Sequence, residues 1–219
     1  MAQAIQQDSA LREQLIRGAQ SLGIALDDAM VERLLAYLSL LSRWNKHYNL
    51  TRIQEPAQMV SGHLLDSLSV LPWIRPARVL DVGAGAGLPG IPLAICRPDW
   101  EVVLLDSNSK KTRFLNQVKI ELKLNHVQVV HGRVEAWRDA AGFDTVMCRA
   151  LTQLKEFVDK ASHLCRSSGI MVAMKGQYPA QELDVIRASG LVCSVERVVL
   201  PDSDIQRHLV IIEHPENLS

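Results

Sequence analysis

An open, mostly parallel α/β sheet preceded by a helical segment is the fold this sequence predicts, and three observations carry it. From Arg78 onward, short apolar runs alternate with helix-length amphipathic stretches, the pattern of a parallel sheet with helices on both faces. The first apolar run stops at Asp81 and opens into four glycines, Gly83, Gly85, Gly87 and Gly90. The second run stops at another acidic residue, Asp106.

The front of the chain is helical. Residues 10–25 and 28–47 have helical spacing, and in the second Leu34, Leu35, Leu38 and Leu41 recur at three- and four-residue intervals. Asp27 and Asp28 suit the start of that helix as cap and first-turn charges. Residues 57–71 form a third helical stretch closed by Pro72. Residues 1–77 hold seven basic and seven acidic residues, so this extension has no net bias. It is expected to precede a sheet domain spanning residues 78–219.

Strands are expected at 78–82, 101–106, 127–131, 143–148 and 170–175, with helices between them at 89–97, 109–123, 152–166 and 179–189. The end departs from this alternation. Two strand-like runs, 191–200 and 207–214, are joined by the short segment PDSDIQ. So short a connection cannot make a parallel crossover, and the last two strands are expected as an antiparallel hairpin.

The bulk numbers describe an ordinary globular chain: 219 residues, 47% hydrophobic, formal net charge zero. Neutrality excludes a basic tail that coats nucleic acid through bulk charge, while leaving a local basic patch open. The N-terminus lacks the basic-then-apolar pattern of a signal peptide, and no run approaches a membrane span. A cytoplasmic monomer with no membrane partner is expected. Cys96, Cys148, Cys165 and Cys193 have no metal-ligand spacing and read as reduced thiols, so no metal is expected.

Glycine has no Cβ, so the loop after Asp81 can turn sharply and bring backbone N–H groups against a ligand. Asp106 would lie beside the loop, either accepting hydrogen bonds from ribose hydroxyls or capping the helix that starts near Ser109. The pairing points to an adenosine-containing cofactor. Gly85-Ala-Gly87-Leu-Pro-Gly90 satisfies GxGxxG, so a nicotinamide cofactor must be weighed. Asp81 at the base of the loop is poorly placed for a pyrophosphate. A closing hairpin stands where a second mononucleotide half would be, and no substrate domain follows. S-Adenosyl-L-methionine carries a sulfonium and an ammonium and no phosphate, which suits a carboxylate there. Asp81, Gly83, Gly85 and Gly87 therefore read best as a methyltransferase loop.

Several further motifs stand in order along the chain: Trp44-Asn-Lys-His-Tyr-Asn-Leu-Thr51, His63-Leu-Leu-Asp66-Ser67, the run DVGAGAGLPGIPLAI, and Leu105-Asp106-Ser107 ahead of Lys110-Lys111. Gly132-Arg133-Val134-Glu135, Arg149-Ala150, Lys175-Gly176 and Arg207-His208-Leu209-Val210 complete them. From about Trp44 to about Val210 the chain resembles the bacterial guanine-N7 methyltransferases of small-subunit ribosomal RNA, the RsmG or glucose-inhibited division protein B family. One departure is visible: the family often has a lysine after the final apolar strand, where this chain has Glu213-His214.

The resemblance implies a seven-stranded class I methyltransferase fold with a helical N-terminal extension. It implies methyl transfer from S-adenosyl-L-methionine to N7 of guanine 527 in 16S rRNA, on the free rRNA or the small ribosomal subunit. It carries cofactor contacts onto Gly83, Leu88, Val134, Glu135 and Arg149. Val134 would pack on the adenine face while its backbone and that of Glu135 read the adenine edge. Arg149 lies at the carboxyl edge of the sheet, where ligands bind.

Arg133, Lys175 and Arg207 are candidate RNA contacts, each weighed against a surface role. His63 and Asp66, one turn apart on a single helix face, are candidates for a guanine pocket. Asn49 reads equally as a cap or a site residue. Trp44 and Tyr48 read as core, and Lys110, Lys111 and Arg113 as a solvated face.

Guanine N7 has an in-plane lone pair and no proton, so its methylation needs positioning and no general base. Neither a nucleophilic cysteine nor an Asn-Pro-Pro-Tyr-like motif is required. In duplex RNA the N7 edge lies in a groove too narrow for side chains, so the target is expected in a loop or an opened region. The rival readings are a methyltransferase acting on another RNA atom or a small molecule, and an RNA-binding factor with a vestigial cofactor loop.

Overall fold

Alternate residues of the strands project to opposite faces, and in this chain both sets are apolar. The computed structural model describes residues 2–149, 153–201 and 206–213. Within these, β1 (Arg78–Val82), β2 (Glu101–Asp106), β3 (Val127–His131), β4 (Phe143–Arg149), β5 (Cys165–Lys175), β6 (Cys193–Val199) and β7 (Gln206–Glu213) form one seven-stranded sheet. Their order is β3-β2-β1-β4-β5-β7-β6. All neighbours are parallel except β7, which runs antiparallel to both β5 and β6. Strands buried on both faces read as near-continuous apolar runs, as β1 and β2 do here, whereas the edge strands β3 and β6 are only partly buried.

Val79, Val102, Leu104, Met147, Val172 and Met174 enter one core, and their neighbours Leu80, Val103, Leu105, Val146, Met171 and Ala173 enter the other. The first core is filled from the helical front: α1 (Ala2–Ser21) supplies Leu15 and Ala19, and α2 (Asp28–Tyr48) supplies Val31, Leu34, Tyr37, Leu38, Leu40 and Leu41. α5 (Gly90–Cys96) and α6 (Ser109–Glu121) join them. The second core is covered by α7 (Leu154–Ala161) and α8 (Ala180–Ala188), through Leu154, Phe157, Val158, Leu183 and Ile186.

The local signals act as read. Asp27 caps α2 by accepting from the Met30 N–H at 2.7 Å. Asn49 closes that helix in the left-handed conformation, φ 50°. Trp44 stacks on Tyr48 with ring centroids 5.1 Å apart and leans on Phe114, so this pair packs against the core. The closing hairpin is present, paired from Cys193–Ile212 to Val199–Gln206. Residues 202–205 of its connection, together with Ala150 and His214, lie outside the described residues.

Three boundaries differ from expectation. The first helix runs from Ala2 to Ser21, ending before Gly23 at φ 72°. β5 begins at Cys165, where residues up to 166 were expected as helix; α7 stops at Ala161, and Cys165 pairs with Phe143 ahead of an irregularity in register. The polar run Arg166-Ser-Ser-Gly169 hides this strand start. The third helical stretch is also interrupted. α3 (Pro56–Met59) passes into a π-helical segment, Val60–Leu65, before α4 (Asp66–Leu68). Pro72 lies in a separate 3-10 turn, Leu71–Trp73.

At the amino edge of the sheet Arg78 is a staple. It bonds Glu101 at 2.9 and 3.0 Å, Asp139 at 2.7 and 3.0 Å and the Gly142 carbonyl at 2.8 Å, and its guanidinium lies 4.3 Å from the Phe143 ring centroid. Arg78→Ala leaves Asp139 without its cation and should cost roughly 2–3 kcal/mol, or about 5–10 °C in melting temperature. Thermal unfolding measures this, and an unchanged Tm would show that the staple carries no weight.

Candidate active site

The glycine loop joining β1 to α5 is held by two carboxylates. Asp81, fully buried at the end of β1, accepts from the Gly90 N–H at 2.9 Å. A Cβ on Gly90 would come within 2.2 Å of Leu104 and 2.9 Å of the Asp81 carboxylate, so only glycine lets α5 start this close to the strand. Asp106, at the end of β2, accepts from the Gly85 N–H through Oδ2 and from the Asn108 N–H through Oδ1, both at 2.8 Å. Capping of α6 falls to Asn108, which accepts from Lys110 N and Lys111 N. Gly83, Gly85 and Gly87 all have positive φ.

A third tie comes from the helical front. The Tyr37 hydroxyl, completely buried, donates to the Ala86 carbonyl at 2.7 Å. Burial pushes its ionisation far up, so it remains a donor. The helical front thus grips the loop directly.

An open cleft runs from the loop along the carboxyl edge of β1, β2 and β3. Val82, Gly83, Asp106, Arg133, Val134 and Glu135 line it, and Gln153, Glu156, Phe157 and Lys160 of the α7 side close it. The structure thereby brings together Gly83, Asp106, Val134 and Glu135. Gly85 is tied to Asp106 through its N–H, while Gly87 and Leu88 are buried, Gly87 against Ile91 and Leu115. Phe157 and Lys160 were not singled out from the sequence. They lie one turn apart on an amphipathic helix, and only the fold turns that face toward the loop. Lys160 pairs with Glu135 at 3.2 Å and Glu156 at 2.6 Å.

A second cluster lies on the other side of the sheet edge. Asp66 is fully buried and carries two arginines. Arg207 holds it in a two-pronged bond, Nε to Oδ1 at 2.6 Å and Nη2 to Oδ2 at 2.8 Å. Arg149 approaches it as an ion pair, Nη1 to Oδ2 at 3.1 Å, and donates Nη2–H to the Gly62 carbonyl at 3.2 Å.

His63 is tied into the same cluster. Its Nδ1 lies 3.0 Å from that Gly62 carbonyl, which can only accept, so Nδ1 carries the proton. Nε2 then accepts from the Thr51 hydroxyl at 2.8 Å. Burial, with Arg149 nearby, pushes the imidazole down to about 4, so it is neutral at physiological pH. Asn45 orders the segment by bonding both Thr51 N and Thr51 O. The π-helical turn carries Gly62 and His63, and such turns often mark functional sites.

Lys175 is apart from this cluster, on the opposite face, bonded to both oxygens of Glu182 at 2.8 and 2.9 Å. Arg133 is exposed on the cleft rim. Among the described residues no group of three or more His, Cys, Asp or Glu is arranged to hold a metal, and no helix is long and apolar enough to cross a membrane.

A sheet that closes β5-β7-β6 with β7 reversed, a glycine loop after β1 and an acid ending β2 make this a class I methyltransferase. Solved structures agree on the fold. The glycopeptide N-methyltransferase MtfA complexed with S-adenosyl-L-homocysteine superposes with a TM-score of 0.56 at 13% identity, over 70% of this chain and 87% of that one. Cofactor-bound Rv0187 from MTB gives 0.59 at 22% identity, over 87% and 92%.

The sequence comparisons are narrower. The family model for rRNA small subunit methyltransferase G matches residues 30–210. Ribosomal RNA small subunit methyltransferase G of Nitrosococcus oceani is 50% identical over 93% of this chain and 95% of its own length. That of Pseudomonas fluorescens is 48% identical over 91% and 94%. The chain belongs to the rRNA small subunit methyltransferase G family.

Asp81 offers a test of the loop. Burial pushes its carboxyl from the ordinary 3.8 up to about 7, and Oδ1 has no hydrogen-bond partner among the described residues. The folded value lies above the unfolded one, so the native state holds an extra proton between about pH 4 and 7, and stability falls as pH rises through that window. Asp81→Asn keeps an acceptor for Gly90 and removes the charge. It should raise the melting temperature at about pH 8 by several degrees and flatten the slope, read by thermal unfolding across the window. A lower Tm at alkaline pH would contradict this electrostatic account.

Proposed function

We propose that this chain transfers the methyl group of S-adenosyl-L-methionine to N7 of guanine 527 in 16S rRNA, as free rRNA or within the small ribosomal subunit. Membership of the small-subunit rRNA methyltransferase family over residues 30–210 carries the reading. Such an enzyme would work in the cytoplasm, where ribosomes assemble, as a monomer.

The residues present fit the cofactor. Asp81 is a buried carboxylate with one unpartnered oxygen beneath the loop, a group that gains by having a cation nearby. Asp106 can accept from the ribose hydroxyls while keeping its bonds to the loop. Val134 and Phe157 offer apolar surface to an adenine, and the backbone of Val134 and Glu135 offers its edge partners. Gly83, Gly85, Gly87 and Leu88 shape the turn, and Arg149 stands at the end of β4. S-Adenosyl-L-methionine, when bound, would supply an electrophilic methyl on a sulfonium that can leave as a neutral thioether, which suits an unprotonated lone-pair nucleophile such as guanine N7.

No residue of the chain has to move a proton. His63 is neutral with both ring nitrogens engaged, which suits a positioning role. We read residues 1–77 as an extension that walls the guanine pocket through His63 and Asp66, and residues 78–219 as the domain that cradles the donor. Exposed Arg133 suits an RNA phosphate. Lys175 and Arg207 would reach RNA only by releasing Glu182 and Asp66.

Incubation with tritiated donor and small subunits lacking the modification should label 7-methylguanosine at position 527; label in another nucleoside would refute the reading. Asp66→Asn should lower turnover at least about tenfold while donor affinity stays within about twofold, and undiminished turnover would remove Asp66 from the pocket. Donor affinity should rise up to about tenfold between about pH 6 and 8 as Asp81 ionises, since a bound cation favours the charged carboxylate. Calorimetry at the two pH values measures this, and a flat profile would exclude the carboxylate.

A further inference from the structure

Tyr178 is a large aromatic side chain left 54% exposed at the rim of the sheet. It lies in the short segment between β5 and α8, immediately beyond the carboxyl end of β5. Because β7 is antiparallel, its first residues lie at that same edge, with His208 in register with Lys175. The His208 ring meets the Tyr178 ring at 81° with centroids 5.7 Å apart, an edge-to-face contact that fixes the exposed ring in place. His208 itself is buried, and its Nδ1 has no hydrogen-bond partner among the described residues.

The surroundings say what such a ring is for. Arg207, next to His208, is bonded to Asp66, which also faces Arg149 at the end of β4. Tyr178 stands on the Lys175–His208 side of that edge, across from the His63–Asp66 cluster, and Gly176 just before it backs onto Arg207, 3.9 Å from where its Cβ would be. The cations beside it, Lys175 and Arg207, are neutralised by Glu182 and Asp66, and the chain as a whole has no net charge. Recognition at this rim rests on something other than phosphate attraction. An exposed, pre-positioned aromatic ring suits an unstacked nucleobase, which offers its π-face to the ring.

We propose that Tyr178, held by His208, is a stacking platform for an unpaired base of the RNA substrate flanking the methylated guanine. This rests on the reading of the chain as an rRNA methyltransferase. A stack contributes to RNA binding and leaves the donor site untouched, so it has a kinetic signature distinct from that of the donor cleft.

The test uses the full chain, saturating S-adenosyl-L-methionine and a titration of small subunits lacking the modification. Tyr178→Ala should raise KM for subunits roughly ten- to a hundredfold, the range set by loss of one base–aromatic stack, with donor affinity and Tm unchanged. Tyr178→Phe and Tyr178→Trp keep a flat ring and should restore KM to within about threefold of the parent. An alanine variant with the parental KM overturns the platform, and so does a phenylalanine variant as impaired as alanine. A parent chain that methylates no subunits at all would refute the underlying reading, and the platform with it.

Discussion

Everything at the carboxyl edge of the sheet depends on two carboxylates placed under and beside one loop. Asp81 pins the first N–H of α5 and Asp106 pins the N–H of Gly85, so the loop is clamped from both neighbouring strands. A backbone rich in glycine is costly to order, because glycine has the most freedom to lose. Charge-assisted bonds to its N–H groups offset that cost. The same acids put carboxylates beneath and beside the loop, which favours a cation at that point. Loop geometry and ligand charge are thus two results of one arrangement.

The helical front is part of this construction. Tyr37 reaches Ala86 in the loop, and Arg33 donates to the carbonyl of Leu122 at the end of α6. Leu15, Leu34 and Leu41 share one core with Leu104 and Met147 of the sheet. An element that packs so tightly against the glycine loop can hold its own side chains at a fixed distance from it, which in-line displacement demands. The π-helical turn contributes by presenting the Gly62 carbonyl to both Arg149 and His63.

Strand positions were legible in the sequence because burial on both faces leaves apolar runs, and β1 and β2 begin and end where those runs do; β3, at the edge and partly buried, was legible from its valines. The hairpin was legible from the brevity of its connection. The glycine loop and its two acids were legible because the chemistry is local: a carboxylate, a turn and a second carboxylate on the next strand. The π-helical turn left no such trace, since Val60–Leu65 has the composition of an ordinary buried helix. The partners of Asp66 were hidden for a different reason. Arg207 is 141 residues away in the chain, and no periodicity relates the two. Lys175 looked like a free cation until the fold brought Glu182 of α8 against it.

That long-distance pair has a bearing on biosynthesis. The front helices leave the ribosome first, carrying a carboxylate whose two-pronged partner lies 141 residues later in the chain. Until the last strand has been made and inserted between its neighbours in the sheet, burying Asp66 would leave it without that two-pronged partner, a strongly unfavourable state. The Asp66 cluster is therefore among the last features to mature, and a nascent chain truncated before its closing hairpin would have the clamped glycine loop but an unfinished cluster.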